Sequence, residues 1–172
     1  YLELMESLTL GLIGLDDVNF SCLSGSLLKL ERLHFGKFFF DSCRGVDHQS
    51  IRDFIGSLAS IREFEFLHLS TKNCENLSDR ALSIFGNLLK EFVNLNELHL
   101  FLDGCPNVND EGLKELARGL SSLENLKQIT LSFAACRSIT NDGAEEIVKT
   151  GSALPEPKES VINFQDCPRV TI

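Results

Sequence analysis

Five cysteines recur at one interval: Cys43, Cys74, Cys105, Cys136 and Cys167 are each separated by 31 residues. Thiols in this number could close disulfides or ligate a metal. Metal binding fits poorly, because no close Cys-x-x-Cys pair is present. Disulfides between neighbouring units would not be forbidden by distance. Repetition at a single register position nevertheless favours a stack of reduced, buried thiols acting as small apolar side chains. Cys22 stands outside this register and falls on the first helix. Free thiols in such number point to a reducing, intracellular and cytoplasmic setting.

His68 and His99 share a second register position, with Glu97 beside them. A pH-sensitive contact or a weak metal pair would use such residues. Zinc would need a third and a fourth ligand, which the spacing does not supply, so the imidazoles read as solvated polar groups. Gly112 and Gly143 also repeat at one position, in the first turn of a helix, where they imply close packing. No Gly-rich phosphate loop, Ser-His-Asp pattern or metal-ligand cluster occurs at a usable spacing. The sequence therefore predicts no enzyme, no cofactor and no metal site.

The elements that would position these residues follow from the same interval. Counted from each Cys, the eighth residue is Ile51, Leu82, Leu113 or Ala144, and the eleventh is Phe54, Phe85, Leu116 or Ile147. The fifteenth is Leu58, Leu89, Leu120 or Gly151, and the eighteenth is Ile61, Phe92, Leu123 or Leu154. Steps of three and four describe one apolar helix face. Four residues after the Cys position come Asp16, Asp47, Ser78, Asn109, Thr140 and Thr171, side chains suited to accept from free N–H groups at a helix start. The other half of each unit alternates, as in Leu95-Asn96-Glu97-Leu98-His99-Leu100, and predicts a short strand. The same register runs backwards with Leu12 in the Cys position, so about five and a half units cover residues 1–172 as one array. A single unit cannot bury its own apolar face, and successive units stack into a solenoid, α/β in class, with a parallel sheet inside and helices outside.

Leu-x-x-Leu-x-Leu, the Cys, and then Val108-Asn109-Asp110-Glu111-Gly112-Leu113 resemble the leucine-rich repeats of the ribonuclease-inhibitor-like and cysteine-containing classes, with 31-residue units. The resemblance is most complete over residues 95–126 and 126–154. It implies a continuous ladder in which the Cys side chains bond to loop backbone. It also implies a non-catalytic role: a scaffold, a receptor, a subunit of a large assembly, or an inhibitor of a partner enzyme.

In such a solenoid the residues between the inward aliphatics face the concave side. They are Phe35, Lys37 and Phe39; Phe66, His68 and Ser70; Glu97, His99 and Phe101; Gln128, Thr130 and Ser132; and Glu159, Val161 and Asn163. Five strands at about 4.8 Å would span on the order of 20 Å, room for a helix, strand or loop of a partner. Phe35, Phe39, Phe66 and Phe101 are either anchors for a partner, since aromatic side chains offer large apolar area at small entropic cost, or the seat of a terminal loop or preceding segment that covers them. Another protein is thus the expected partner. The net charge of −9 argues against nucleic acid, and no apolar run approaches the ~20 residues of a membrane span.

The edges of the array are less regular. Gly36 stands where an aliphatic is expected, the last helix is expected to stop near Thr150-Gly151, and Pro155-Glu156-Pro157 interrupts the return segment. The absence of an initiator Met, and a cap residue at Thr171 with no helix after it, lead to the expectation of a piece of a longer array or of a neighbouring chain over the open end.

Overall fold

A computed structural model describes residues 4–16, 18–154 and 159–172. Strand and helix alternate along them: β1 (Ser7–Gly11), α1 (Phe20–Leu27), β2 (Phe35–Phe39), α2 (His48–Ala59), β3 (Phe66–Ser70), α3 (Asp79–Leu89), β4 (Glu97–Phe101), α4 (Asp110–Leu120), β5 (Gln128–Ser132), α5 (Asn141–Ala153) and β6 (Glu159–Asn163). The six strands form one parallel sheet in sequence order. The register is unshifted, so Phe35, Phe66, Glu97, Gln128 and Glu159 line up, as do Lys37, His68, His99, Thr130 and Val161. This is the leucine-rich-repeat solenoid that the 31-residue interval predicts.

The core lies between sheet and helices. The alternating strand residues Leu67, Leu69, Leu98, Leu100, Ile129 and Leu131 meet the helix rows Ile51/Phe54/Leu58, Leu82/Phe85/Leu89 and Leu113/Leu116/Leu120, all buried. Burying one such side chain stabilises by about 1.5–3 kcal/mol. Gly36 belongs to this packing. A Cβ there would lie 2.5 Å from the Phe38 ring and 2.9 Å from the Phe64 ring, so the missing aliphatic is replaced by two neighbouring aromatics. Close approach also explains Gly112 and Gly143, whose Cβ atoms would meet Oδ1 of Asp79 and Asp110 at 2.6 Å. With those positions bare, Asp79 and Asp110 each accept the backbone N–H of the next unit's cap residue, Asn109 and Thr140, at 2.8 Å.

Each unit turns from strand to helix in the same way. The residue before the Cys, namely Ser42, Asn73, Gly104, Ala135 or Asp166, has φ between 56° and 68°. The left-handed backbone aims its N–H at the next unit: Ser42 donates to Lys72 O at 2.7 Å, Asn73 to Asp103 O at 2.8 Å, Gly104 to Ala134 O at 2.7 Å and Ala135 to Gln165 O at 2.8 Å. The sheet's hydrogen bonding is thereby carried one step past the strands.

Four expectations change. A sixth strand, β1, precedes the five. Its signal was Leu8-x-Leu10-x-Leu12, without a Cys to mark the register. Helix α1 starts at Phe20 under an Asn19 cap that accepts from Cys22 N, so Asp16 is no cap and instead pairs with Arg44 at 3.7 Å. Asp47, Asn109 and Thr140 do cap their helices, whereas Ser78 occupies the cap position without a side-chain bond. Helix α5 runs on to Ala153, and the Pro155–Pro157 break falls outside the described residues.

Candidate protein-binding face

Strand pleating fixes what the concave side presents. Successive residues of a strand point to opposite faces, so three rows of side chains cross the sheet parallel to its hydrogen bonds. The first begins Phe35, Phe66, Glu97; the second Lys37, His68, His99; the third Phe39, Ser70, Phe101. All fifteen predicted concave residues lie in these rows. Phe35, Lys37, Glu159 and Val161 are exposed, Ser70 and Ser132 are buried, and the remainder, Phe39, Phe66, His68, Glu97, His99, Phe101, Gln128, Thr130 and Asn163, are half-buried.

The aromatics do not stand apart as separate anchors. Phe35 meets Phe66 at 6.2 Å between ring centroids, and Phe66 meets His99 at 5.3 Å. Phe39 meets His68 at 4.9 Å, and His68 meets Phe101 at 5.0 Å and His99 at 6.0 Å. Six rings on three strands therefore form one floor, in which the half-buried Phe39 and Phe101 flank His68 and the half-buried Phe66 lies between Phe35 and His99. Two lysines sit over it: Lys37 Nζ is 5.6 Å from the Phe66 centroid and Lys72 Nζ 5.0 Å from that of Phe101. Cation–π contacts of this kind contribute about 0.5–1 kcal/mol at exposed sites.

The histidines are tuned by this floor. Burial, then the neighbouring His99 and Lys37, bring the His68 pKa down to about 4, against which Asp41 works weakly. His99 is also lowered by burial, while Glu97, whose Oε2 lies 3.9 Å from His99 Nε2, pulls it back up. Both imidazoles are neutral at pH 7. Among the described residues no cluster of three or more His, Cys, Asp or Glu side chains could hold a metal ion.

A polar border runs along the C-terminal ends of the strands, and only Ser70 and Ser132 of it were anticipated. Asp41 Oδ1 accepts from Ser70 Oγ at 2.6 Å and from Lys72 N at 2.9 Å. Asp103 Oδ1 accepts from Ser132 Oγ at 2.5 Å and from Ala134 N at 3.0 Å, and Lys72 Nζ reaches Asp103 Oδ2 at 3.0 Å. Each aspartate thereby ties two strands together through its Oδ1, which braces the border, and Lys72 is held between Asp103 Oδ2 and the Phe101 ring.

The repeated thiols lie under this border, buried and unpaired. Each donates to a backbone carbonyl of the preceding unit: Cys43 to Leu12 O at 2.6 Å, Cys74 to Phe40 O at 3.1 Å, Cys105 to Thr71 O at 3.2 Å, Cys136 to Leu102 O at 3.3 Å and Cys167 to Phe133 O at 3.0 Å. Burial pushes the Cys105 pKa up to about 12 and those of Cys74 and Cys136 to about 11, which leaves these thiols protonated and unreactive at pH 7. Cys22 is exposed on α1.

No helix among the described residues is long and apolar enough to cross a membrane. No family model matches the chain, and no curated protein does. Among solved structures the chain is similar to leiomodin-1 actin-binding site 2, with a TM-score of 0.53 and 16% identity over 70% of this chain. The match takes in 66% of that chain, just under two thirds of its length. At this identity the likeness is one of fold, and it agrees with the stacked strand–helix units described above.

Proposed function

We propose that the chain is a protein-binding module that takes its partner on the concave face, centred on Phe66, His68, His99 and Phe101. The observation that carries this is the ring floor itself. Polar side chains would suffice to solvate the inside of a parallel sheet, yet here Phe35, Phe39, Phe66 and Phe101 face it together with two lysines. A contiguous aromatic patch ringed by polar groups is the composition of an interface centre. Lys37, Glu97, Gln128 and Thr130 form its rim. The sheet positions these groups without loops, so little ordering cost accompanies binding.

We further read residues 1–172 as one array of the cysteine-containing type, non-catalytic and working in a reducing intracellular compartment, a reading supported by the unpaired, hydrogen-bonded thiols. A crosslinking pull-down from the native source, comparing the natural chain with Phe66→Ala/Phe101→Ala, tests the binding role. One partner captured and then lost with the variant supports it, and loss of that partner's own activity on capture would make the module an inhibitor. The same neighbours recovered with both would make the chain a passive structural subunit held by its edges and helices. Actin is the first purified protein to assay, because the structural neighbour is an actin-binding site by its title. Cosedimentation with filaments and retention of monomers would both be read against the double variant.

A further inference from the structure

The floor is not electrically uniform. Its aromatic part runs from β2 to the Phe101 end of β4, with Lys37 in the middle row. Its other part carries Glu97, Gln128 and Glu159 in one row across β4, β5 and β6. Asp41 and Asp103 lie on the border beside the aromatic part. Asp103 is bonded through both oxygens and paired with Lys72, whereas Asp41 is bonded through Oδ1 to Ser70 and Lys72 N and keeps only Oδ2 free of a bond among the described residues. Glu159 is braced differently: its Oε2 accepts from Gln128 Nε2 at 2.8 Å, which leaves the other oxygen facing solvent at an exposed position. Lys127 precedes β5 and lies off the three rows. Between the His68 and His99 rings, 6.0 Å apart, the surroundings change from lysine-dominated to glutamate-dominated.

We propose that the concave face takes a polypeptide segment lying across the strands, apolar or aromatic at one end and basic at the other. The apolar end rests on Phe66, Phe39 and Phe101, and an Arg or Lys side chain reaches Glu97 and Glu159 past Gln128. This deepens the concave-face reading and rests on it. Lys37 sets the polarity of the segment: a cation laid over β2 would face its ammonium, whereas one over β4 to β6 meets two carboxylates. From Phe66 on β3 and Phe39 on β2 to Glu159 on β6 is three to four strands, roughly 14–19 Å, a length covered by about ten to thirteen residues of helix, with Glu97 on β4 between them. A guanidinium matches the Glu97–Gln128–Glu159 row best, since its planar fork can donate to several acceptors at once. The net charge of −9 over the whole chain speeds encounter with such a segment, and the local split orients it on arrival.

The test is selection of 16-residue random peptides displayed on phage against the full chain, followed by titration of the selected peptides with three variants. Enriched peptides are expected to carry an aromatic or aliphatic cluster and, about ten to thirteen residues away, Arg or Lys. Glu97→Gln/Glu159→Gln, which keeps the side-chain size and the capacity for hydrogen bonds, should weaken them at least tenfold and flatten their salt dependence. Lys37→Glu should admit peptides that are basic at both ends. Phe66→Ala/Phe101→Ala should abolish binding of all of them, with circular dichroism confirming that each variant remains folded. Peptides without a basic bias, or peptides indifferent to the glutamate variant yet lost with the aromatic one, would overturn the charge assignment and leave the concave face standing. Peptides indifferent to the aromatic variant, or no enrichment at all, would remove the face itself.

Discussion

Thr71 offers the most direct test of how the units are packed. Its position in the repeat is taken by Phe40, Leu102, Phe133 and Phe164 in the other units. Here the side chain is fully buried, its Oγ1 has no hydrogen-bond partner, and beside it lies a cavity of about 10 Å³ walled by Ile51, Leu69, Leu77, Ala81, Leu82, Phe85, Leu100 and Leu102. A water in that space would find the hydroxyl and otherwise only hydrocarbon, too few partners to hold it. Leaving a buried hydroxyl unpaired costs about 1–3 kcal/mol, and the methyl that replaces it in Thr71→Val contributes roughly 0.8 kcal/mol by burial. The backbone is unaffected, since Thr71 N–H still reaches Phe101 O and Thr71 O still accepts from Cys105 Sγ. We expect Thr71→Val to stabilise the chain by about 2–4 kcal/mol, raising the urea midpoint by roughly 1–2 M with the slope unchanged. Thr71→Ser, which keeps the hydroxyl and enlarges the cavity, should lower the midpoint by at least as much as one lost methyl, about 1 kcal/mol. Urea titrations followed by circular dichroism suffice. A lower midpoint for Thr71→Val would refute the reasoning, because it would mean that the hydroxyl's burial is compensated by a bond.

Three further outcomes follow from the ladders. Ala135→Gly should raise stability by about 0.5–1 kcal/mol by relieving a left-handed alanine, whereas Gly104→Ala should lower it, since its Cβ would collide with Asn73 Oδ1; thermal unfolding of the pair reads both signs. The thiols of Cys74, Cys105 and Cys136 titrate at about 11 to 12 in the fold against an ordinary 9.0, so the unfolded chain ionises first as pH rises. Stability is then complete below pH 9 and lost between there and 11–12, and urea midpoints against pH should show a shallower alkaline fall in Cys105→Ala. His68 is shifted the other way, to about 4 from 6.5, by burial and by His99, Lys37 and Lys72, with Asp41 opposing. The unfolded chain takes up the proton first, stability falls as pH drops from 6.5 towards 4, and His68→Gln should flatten that limb; an unchanged acid limb would mean that the ring is free in water.

How far the sequence shows the fold depends on whether a feature shares the 31-residue period. The thiols, the four apolar helix rows and most cap residues do, and they are legible because every unit solves the same packing problem with the same residue type. The left-handed residue before each Cys has the period but no common identity: Ser42, Asn73, Gly104, Ala135 and Asp166 occupy it. The hydrogen bond that the conformation secures to the next unit outweighs the preference for glycine, so composition hides the turn. The bracing aspartates follow a longer rhythm. Asp41 and Asp103 are 62 residues apart, as are their serine partners Ser70 and Ser132, so alternate units differ at this border and a search at 31 averages the pattern away. Strand alternation alone groups these residues into the same three rows as the strand register does. What alternation could not show is that the Phe and His rings of those rows would meet one another, because that depends on contacts across three strands.

A solenoid of this kind separates the residues that hold it together from those free to vary. A unit that shifted its Cys, its cap or its helix row would break contacts with both neighbours, since each unit packs only on the next. The concave rows are under no such demand. Their backbone is already satisfied by the sheet, and apart from Ser70 and Ser132, which bond to the border aspartates, a side chain there touches solvent or side chains of the neighbouring strands. Any departure from the repeat on that face is therefore unforced by folding. The first row reads Phe35, Phe66, Glu97, Gln128, Glu159 and drifts from aromatic to acidic along the sheet, and the middle row, Lys37, His68, His99, Thr130, Val161, drifts from cationic to uncharged. Folding requires neither drift, and placing the exposed Phe35 and the half-buried Phe39, Phe66, Phe101, His68 and His99 on a face that polar residues could solvate costs solubility. On the proposed concave-face reading, selection for a partner accounts for both, and the binding information would lie in the part of the sequence where the repeat is weakest.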